Sequence, residues 1–178
     1  MNSFDYKNSV IFLDKDGLLI QEVCNYGEPK RSARNLNEVN IFEDAIPTLA
    51  LLKEKFALVL ITNQPDINKQ VHLEEEEINI NLYLMELFNL DAAYWCPHSK
   101  NQSCECRKPK TKMFDHFFND YKYFPEKKFM VGDRVSDVVA AESIEATGIH
   151  FINKNVNCQT CSGKHVKSLR EILKIVLS

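Results

Sequence analysis

Residues 10–17 read Val-Ile-Phe-Leu-Asp-Lys-Asp-Gly, four apolar residues running directly into two acids and a glycine. An unbroken apolar run of this length suits a strand buried on both faces rather than an alternating, half-solvated one. Asp14 and Asp16 then lie just past its C-terminal end. The same alternation of short apolar runs and helical patterns continues along the chain. Ala57 to Ile61, Ala93 to Trp95, Phe129 to Val131 and Ile149 to Ile152 read as further strands. Between them, helices are expected over Ala45–Lys55, Leu73–Phe88, Thr111–Tyr121 and Ser136–Ala146, with a closing helix over Ser168–Leu177. Asp44 and Ser136 are the expected caps of two of them, and Pro47 falls in a first turn, where proline is tolerated. In the third expected segment, Ile78, Leu82, Met85 and Phe88 have helical spacing. Strands alternating with helices predict an α/β fold with a mostly parallel sheet between two helical layers, three-layer and Rossmann-like.

Length and composition narrow the function. The 178 residues match one ordinary domain, and 44% hydrophobic residues suffice for a core. A single domain over 1–178 is expected. A formal net charge of −3 gives no footprint for a polyanion, so no nucleic-acid partner is expected. No apolar run approaches the ~20 residues of a membrane span, and no membrane partner is expected. The N-terminal MNSFDYKNSV lacks the basic-then-apolar layout of an export signal, so a cytoplasmic location is expected, and a monomer is the default expectation.

In parallel sheets ligands bind beyond the C-terminal strand ends. Asp14 and Asp16 follow the first strand and Thr62 the second. Lys108 follows the third, and Asp133 and Asp137 the fourth. Chance would scatter such residues over both edges. Asp14 and Asp133 can share a hard divalent cation such as Mg2+, which prefers oxygen ligands and phosphate. Lys108, the Thr62 hydroxyl and loop amides add charge and donors for a phosphoryl group. Asp14 can then act as nucleophile, with Asp16 as acid and later base. An Asp-x-Asp-Gly run also occurs in turns and in calcium loops. A calcium loop fails here, because Leu18, Leu19 and Ile20 stand where oxygen ligands are needed.

Asp-Lys-Asp-Gly at 14–17, Ile-Thr-Asn-Gln at 61–64, Cys-Arg-Lys-Pro at 106–109 and Gly-Asp-Arg-Val-Ser-Asp at 132–137 resemble, in order and spacing, the motifs of the haloacid dehalogenase-like hydrolases. Cys-Pro-His followed by Cys-x-Cys-Arg-Lys-Pro resembles, more narrowly, their zinc-containing capless branch. That branch includes D-glycero-D-manno-heptose-1,7-bisphosphate 7-phosphatase and histidinol-phosphate phosphatase. The resemblance implies Asp14 as nucleophile and Asp16 as acid/base. It implies Mg2+ held by Asp14, the Asp16 carbonyl and Asp133, with Asp137 supporting from behind. Thr62, Asn63, Gln64 and Lys108 become phosphate or substrate binders, and Arg107 a substrate contact. Leu18 departs from the threonine or valine of many relatives. Ile67-Asn68-Lys69-Gln70 replaces the usual small or glycine-rich continuation of the second motif.

Cys96, His98, Cys104 and Cys106 form C-x-H-x5-C-x-C, three thiolates and an imidazole with no open position. That set fits a structural Zn2+ that folds loop 96–109 and aims Arg107 and Lys108. Cys158 and Cys161 form a lone C-x-x-C read as two free thiols, and Cys24 receives no role. The run Glu74–Glu77 is expected in a helix first turn, where negative charge is stabilising. His72, His116, His150 and His165 are read as surface or loop residues, and Trp95 as core.

Neither the segment 18–44 nor the gap 64–95 has room for a cap domain, so a small flap from 18–44 is expected. Lys30, Arg31 and Arg34 on it could touch a second anionic group. The expected substrate is thus a small phosphorylated metabolite, favoured as a sugar bisphosphate, with histidinol phosphate as the alternative. Biosynthesis of lipopolysaccharide-type precursors is what the resemblance implies. A nucleic-acid 3'-phosphatase and a non-catalytic binding module rank below these.

Overall fold

A computed structural model of the protein describes residues 7–152 and 163–178. Six strands form one sheet: β1 (Ser9–Leu13), β2 (Ala57–Asn63), β3 (Ala92–Cys96), β4 (Lys127–Gly132), β5 (Thr147–Phe151) and β6 (Lys164–Val166). Every pairing is parallel and the order is β3-β2-β1-β4-β5-β6. The helices are α1 (Ala45–Lys53), α2 (Pro65–Asn68), α3 (Glu74–Phe88), α4 (Lys112–Tyr121), α5 (Val135–Ser143) and α6 (Ile172–Val176).

The alternation of side chains along β1 and β2 splits the core into two layers. Ile11, Leu13, Leu58 and Leu60 pack with Leu49 and Leu52 of α1, Ile80 and Leu84 of α3 and Ile172 of α6. Val10, Phe12, Val59 and Ile61 face the other way, onto Met113, Phe114 and Phe117 of α4 and Ala140 and Ala141 of α5. Phe12 meets Phe114 edge to face at 4.9 Å between ring centres. Both faces are covered, which is why the strands read as unbroken apolar runs. The strand order reverses between β1 and β4, and at such a switch the connections leave a crevice beyond the C-terminal strand ends.

Several local expectations are corrected. β6 and the one-turn α2 are additional elements; β6 is only three residues long and two of them are exposed, so it carries no apolar run. β3 is longer than Ala93–Trp95, and Trp95 is half-buried and outside the buried core clusters. Asp44 does not cap α1; its carboxylate accepts the Leu169 N–H at 2.9 Å instead. α5 begins one residue earlier than Ser136, and the Asp137 carboxylate accepts the Arg134 N–H at 3.1 Å, doing the capping from inside the helix. In α3 the buried face runs through Glu77, Ile80, Asn81, Leu84 and Phe88, while Ile78 and Leu82 are 39% and 59% exposed. His72 and His150 are buried rather than superficial, each with a polar partner. The flap is held by an Ile20–Ile41 bridge and by paired Val23 and Arg31 backbones. The Cys158–Cys161 pair lies outside the described residues.

Candidate active site

The first loop closes tightly on itself. The Leu19 and Ile20 N–H groups both donate to the Lys15 carbonyl, at 2.9 and 3.1 Å, and the Gly17 N–H to the Ile20 carbonyl at 2.8 Å. Leu18, Leu19 and Ile20 are fully buried, so this loop anchors itself in the core rather than around a calcium ion. Gly17 has φ +82°, and a side chain there would collide with the Asp133 carboxylate. A side chain at Gly132 would collide with Asp137. Gly17 thus lets the loop after β1 come up to Asp133, and Gly132 lets Asp137 of α5 fold back onto the end of β4. The Asp14 N–H, donating to the Val131 carbonyl at 2.9 Å, ties the same two strand ends.

Asp14, Asp133 and Asp137 each offer an oxygen within 4.8 Å of the others. Such crowding is costly for like charges. Burial, with the neighbouring Asp14 charge, pushes the Asp133 carboxyl up to about 8, and burial brings Asp137 to about 6 against the pull of Lys108. Asp133 Oδ1 is buried without a hydrogen-bond partner. Crowded acids with an orphaned oxygen fit a hard divalent cation, which would be held by Asp14 and Asp133.

Lys108 answers the other side of the charge balance. Its ammonium lies 2.9 Å from Asp14 Oδ1 and 2.8 Å from Asp137 Oδ1, and donates to the Ile61 carbonyl at 2.6 Å. Burial alone would lower its pKa; the two carboxylates outweigh burial and hold it raised. Asn63 grips the Lys108 backbone twice, accepting its N–H at 3.0 Å and donating to its carbonyl at 3.2 Å. Asn63 thus positions the lysine as well as lining the cleft. Thr62 lines the cleft floor and accepts from Gln64 Nε2 at 3.1 Å.

Gln64 sits differently from its expected place. It is fully buried and does not line the cleft; Nε2 donates to Asp16 Oδ2 at 2.7 Å. Burial raises the Asp16 pKa, chiefly by desolvation. That favours a carboxyl that can carry a proton.

At the end of β3, Cys96, His98, Cys104 and Cys106 converge. Sulfur separations are 3.0 Å for Cys96–Cys106 and 3.9 Å for Cys96–Cys104, with His98 Nδ1 3.2 Å from Cys106 and 3.6 Å from Cys96. The sulfur separations are too long for disulfides; Cys96–Cys104 matches the edge of roughly 3.8 Å expected for a tetrahedron with ~2.3 Å zinc–sulfur bonds, and Cys96–Cys106 is shorter than that edge. The four residues could hold such an ion. Arg107 is drawn back onto this loop, donating to the His98 carbonyl at 2.9 Å while lining the cleft.

The cleft has a volume of about 960 Å³. Lys30 and Arg31 reach it from the flap, Lys69 from the loop after β2, Lys100 and Lys110 from the cysteine loop, and Arg134 from the loop after β4. Arg31 is engaged with Glu38 at 2.7 Å, and Arg34 with Asp66 at 2.9 Å, so neither is a free cation. Sequence reasoning missed Glu77, His72 and His150. His150 Nε2 lies 3.0 Å from the Asp133 carbonyl, and no local pattern signals a contact 17 residues away.

Residues 105–152 match the HAD-hydrolase-like family model. The histidine biosynthesis bifunctional protein HisB of Campylobacter jejuni is 31% identical over 150 residues, 80% of this chain and 41% of that protein. HisB of Actinobacillus pleuropneumoniae is 28% identical over 148 residues, covering 79% of this chain and 39% of its own. The chain therefore spans about two fifths of the length of these curated relatives. Among solved structures, D,D-heptose 1,7-bisphosphate phosphatase from B. bronchiseptica, complexed with magnesium and phosphate, superposes with a TM-score of 0.79 at 19% identity, covering 95% of this chain and 98% of that one. A HAD-like phosphatase from Mesorhizobium loti follows at 0.73 and 16% identity, covering 93% of this chain and 84% of that one. No helix among the described residues is long and apolar enough to cross a membrane. Residues 105–152 thus carry the HAD-hydrolase-like pattern, and the fold of the chain is the one seen in these solved phosphatases.

Proposed function

We propose that the chain is a Mg2+-dependent phosphomonoesterase that works through an aspartyl-phosphate on Asp14. The observation that carries this reading is the Asp14 carboxylate, 2.9 Å from a buried Lys108 ammonium at the sheet's switch point, with the buried acid Asp16 two residues on. Asp14 attacks phosphorus and the bond to the leaving oxygen breaks. Asp16 gives that oxygen its proton. A water then attacks the aspartyl-phosphate, losing its proton to Asp16, and inorganic phosphate is released. Lys108 and the Thr62 hydroxyl hold the phosphoryl oxygens, and Asn63 keeps Lys108 aimed. Mg2+ at Asp14, Asp133 and the Asp16 carbonyl would neutralise charge on the transferring group. Asp137 keeps Lys108 charged and in place. Zn2+ at Cys96, His98, Cys104 and Cys106 would be structural, fixing the loop that carries Arg107 and Lys108.

The preferred substrate is a small bisphosphate, most simply a sugar bisphosphate. Cations on four separate segments line the cleft; Arg31, Lys69, Lys110 and Arg134 are each paired with a carboxylate, so among the described residues Lys30 of the flap and Lys100 of the cysteine loop are the lysines left to meet a second phosphate. Histidinol phosphate carries an amine that such a mouth disfavours. It stands as the second reading because the curated relatives are HisB proteins. Phosphate release with Mg2+ from heptose 1,7-bisphosphates, fructose 1,6-bisphosphate and histidinol phosphate, with Asp14→Asn as blank, tests both. Preference for a bisphosphate is expected. Preference for histidinol phosphate would keep the chemistry and replace the substrate, and release from none would overturn the reading.

A further inference from the structure

Beside Asp16 lies a set of buried charges that the reaction above does not use. Lys15, between the two acids, is fully buried, and its ammonium reaches both oxygens of Glu77 at 2.7 Å. Glu77 is also fully buried in the first turn of α3, and its Oε2 lies 3.1 Å from His72 Nε2. The ammonium is 3.9 Å from Asp16 Oδ2, the oxygen that accepts from Gln64. Lys15 is thus tied at both ends: its carbonyl receives Leu19 and Ile20, and its side chain is pinned to α3. A buried ion pair is a poor source of stability, because apolar residues of equal volume do as well or better. Its cost here is matched to a position, the residue flanked by nucleophile and acid.

We propose that Glu77 is a positioning residue for the acid Asp16, acting through Lys15. By anchoring Lys15 it fixes the loop so that Asp16 Oδ2 meets Gln64 and Oδ1, which has no other partner, is left for the leaving oxygen. The inference rests on the proposed role of Asp16. Its signature is a dependence on the leaving group, since an alkoxide needs a proton to depart and 4-nitrophenolate does not.

The test compares kcat/KM, which reports formation of the aspartyl-phosphate alone, for 4-nitrophenyl phosphate and for whichever of the panel's alkyl phosphates turns over fastest. Glu77→Asp keeps the charge and the fold but withdraws the anchor by one methylene. It is expected to lose about tenfold on the alkyl phosphate and less than about threefold on the aryl one, a fraction of what a general acid supplies. The double variant Lys15→Met with Glu77→Gln removes both charges and leaves an amide for His72. Its expected loss is about 100-fold on the alkyl phosphate, again with little loss on the aryl one. Equal losses on both substrates, or the wild-type ratio in either variant, overturn the proposal; should the double variant fail to fold, Glu77→Asp decides alone. Wild-type protein that releases phosphate from no alkyl phosphate removes the role of Asp16 itself, whereas active wild type with unsplit variants removes only that of Glu77.

Discussion

The floor and the mouth of the cleft use the same side chains under opposite physics. On the floor, Lys108 is 3% exposed and held by two carboxylates and a carbonyl, so its charge is fixed in place. At the mouth, the Lys110 and Arg134 side chains are 46% and 60% exposed, and their ion pairs with Glu105 at 2.9 Å and Glu22 at 3.1 Å lie in solvent. Floor charges act at short range in a low dielectric, where position decides their effect; mouth charges act in solvent, where salt screens them. Under the proposed function, the floor accounts for the type of reaction and the mouth for which phosphorylated molecule is admitted.

Removing the floor's cation should break this contrast most severely. Lys108→Ala leaves Asp14, Asp133 and Asp137 uncompensated and takes away a donor to the phosphoryl group. We expect a fall in kcat of about 10²–10³-fold, by analogy with lost transition-state donors. A stability loss of about 3 kcal/mol should accompany it, measured by denaturant unfolding, because a buried charge loses its partner.

Next is the loop that carries the lysine. Cys104→Ser should lose stoichiometric zinc by metal analysis and lower the thermal midpoint, since metal binding in such a loop is folding free energy. Retention of one zinc per chain in that variant would separate the cysteine loop from any metal role.

The mouth should respond more weakly and in KM. Lys100→Ala is expected to raise KM for a bisphosphate by about three- to tenfold with kcat within twofold, the pattern of lost uniform binding. The effect should fade as salt is raised. A fall in kcat instead would place Lys100 with the floor.

The smallest effect concerns the flap. Arg31 hydrogen-bonds Glu38 and holds its carboxyl down at about 2, below an ordinary value of 4.5. A depressed carboxylate adds stability that is present above the unfolded value and lost as pH falls from about 4.5 towards 2. Glu38→Gln should lower stability at neutral pH by less than about 1 kcal/mol, this being a partly exposed pair. The difference from wild type should vanish near pH 2 in acid-unfolding curves.

How much of this was legible follows the same division. Val10–Leu13 running into Asp14 could be read because burial on both faces and an abrupt stop leave a local signature. The same holds for Ala57–Ile61 into Thr62, and for the C-x-H-x5-C-x-C spacing that the fold draws together. In the sequence Glu77 is one of four acids expected in a helix first turn. Its partner Lys15 is 62 residues away, and no local pattern distinguishes it from Glu74. The face of α3 departs from the Ile78, Leu82, Met85 and Phe88 spacing for a related reason: burying Glu77 and Asn81 beside Ile80 and Leu84 exposes Ile78 and Leu82. The motif resemblance implies Gln64 as a substrate binder, but the turn after β2 directs it inward to Asp16. Polar residues inside the protein are where periodicity misleads, since their burial is set by a partner rather than by their own hydropathy.

The central claim is that Asp14 becomes phosphorylated during turnover. Incubation with Mg2+ and the best substrate of the panel, acid quenching within one turnover and mass analysis of the peptide carrying Asp14 test it most directly. The account predicts a phosphoryl group on that peptide, absent from Asp14→Asn, which should also lose roughly 10⁴-fold or more of the phosphate release. Phosphate release by Asp14→Asn at a rate near wild type would contradict it.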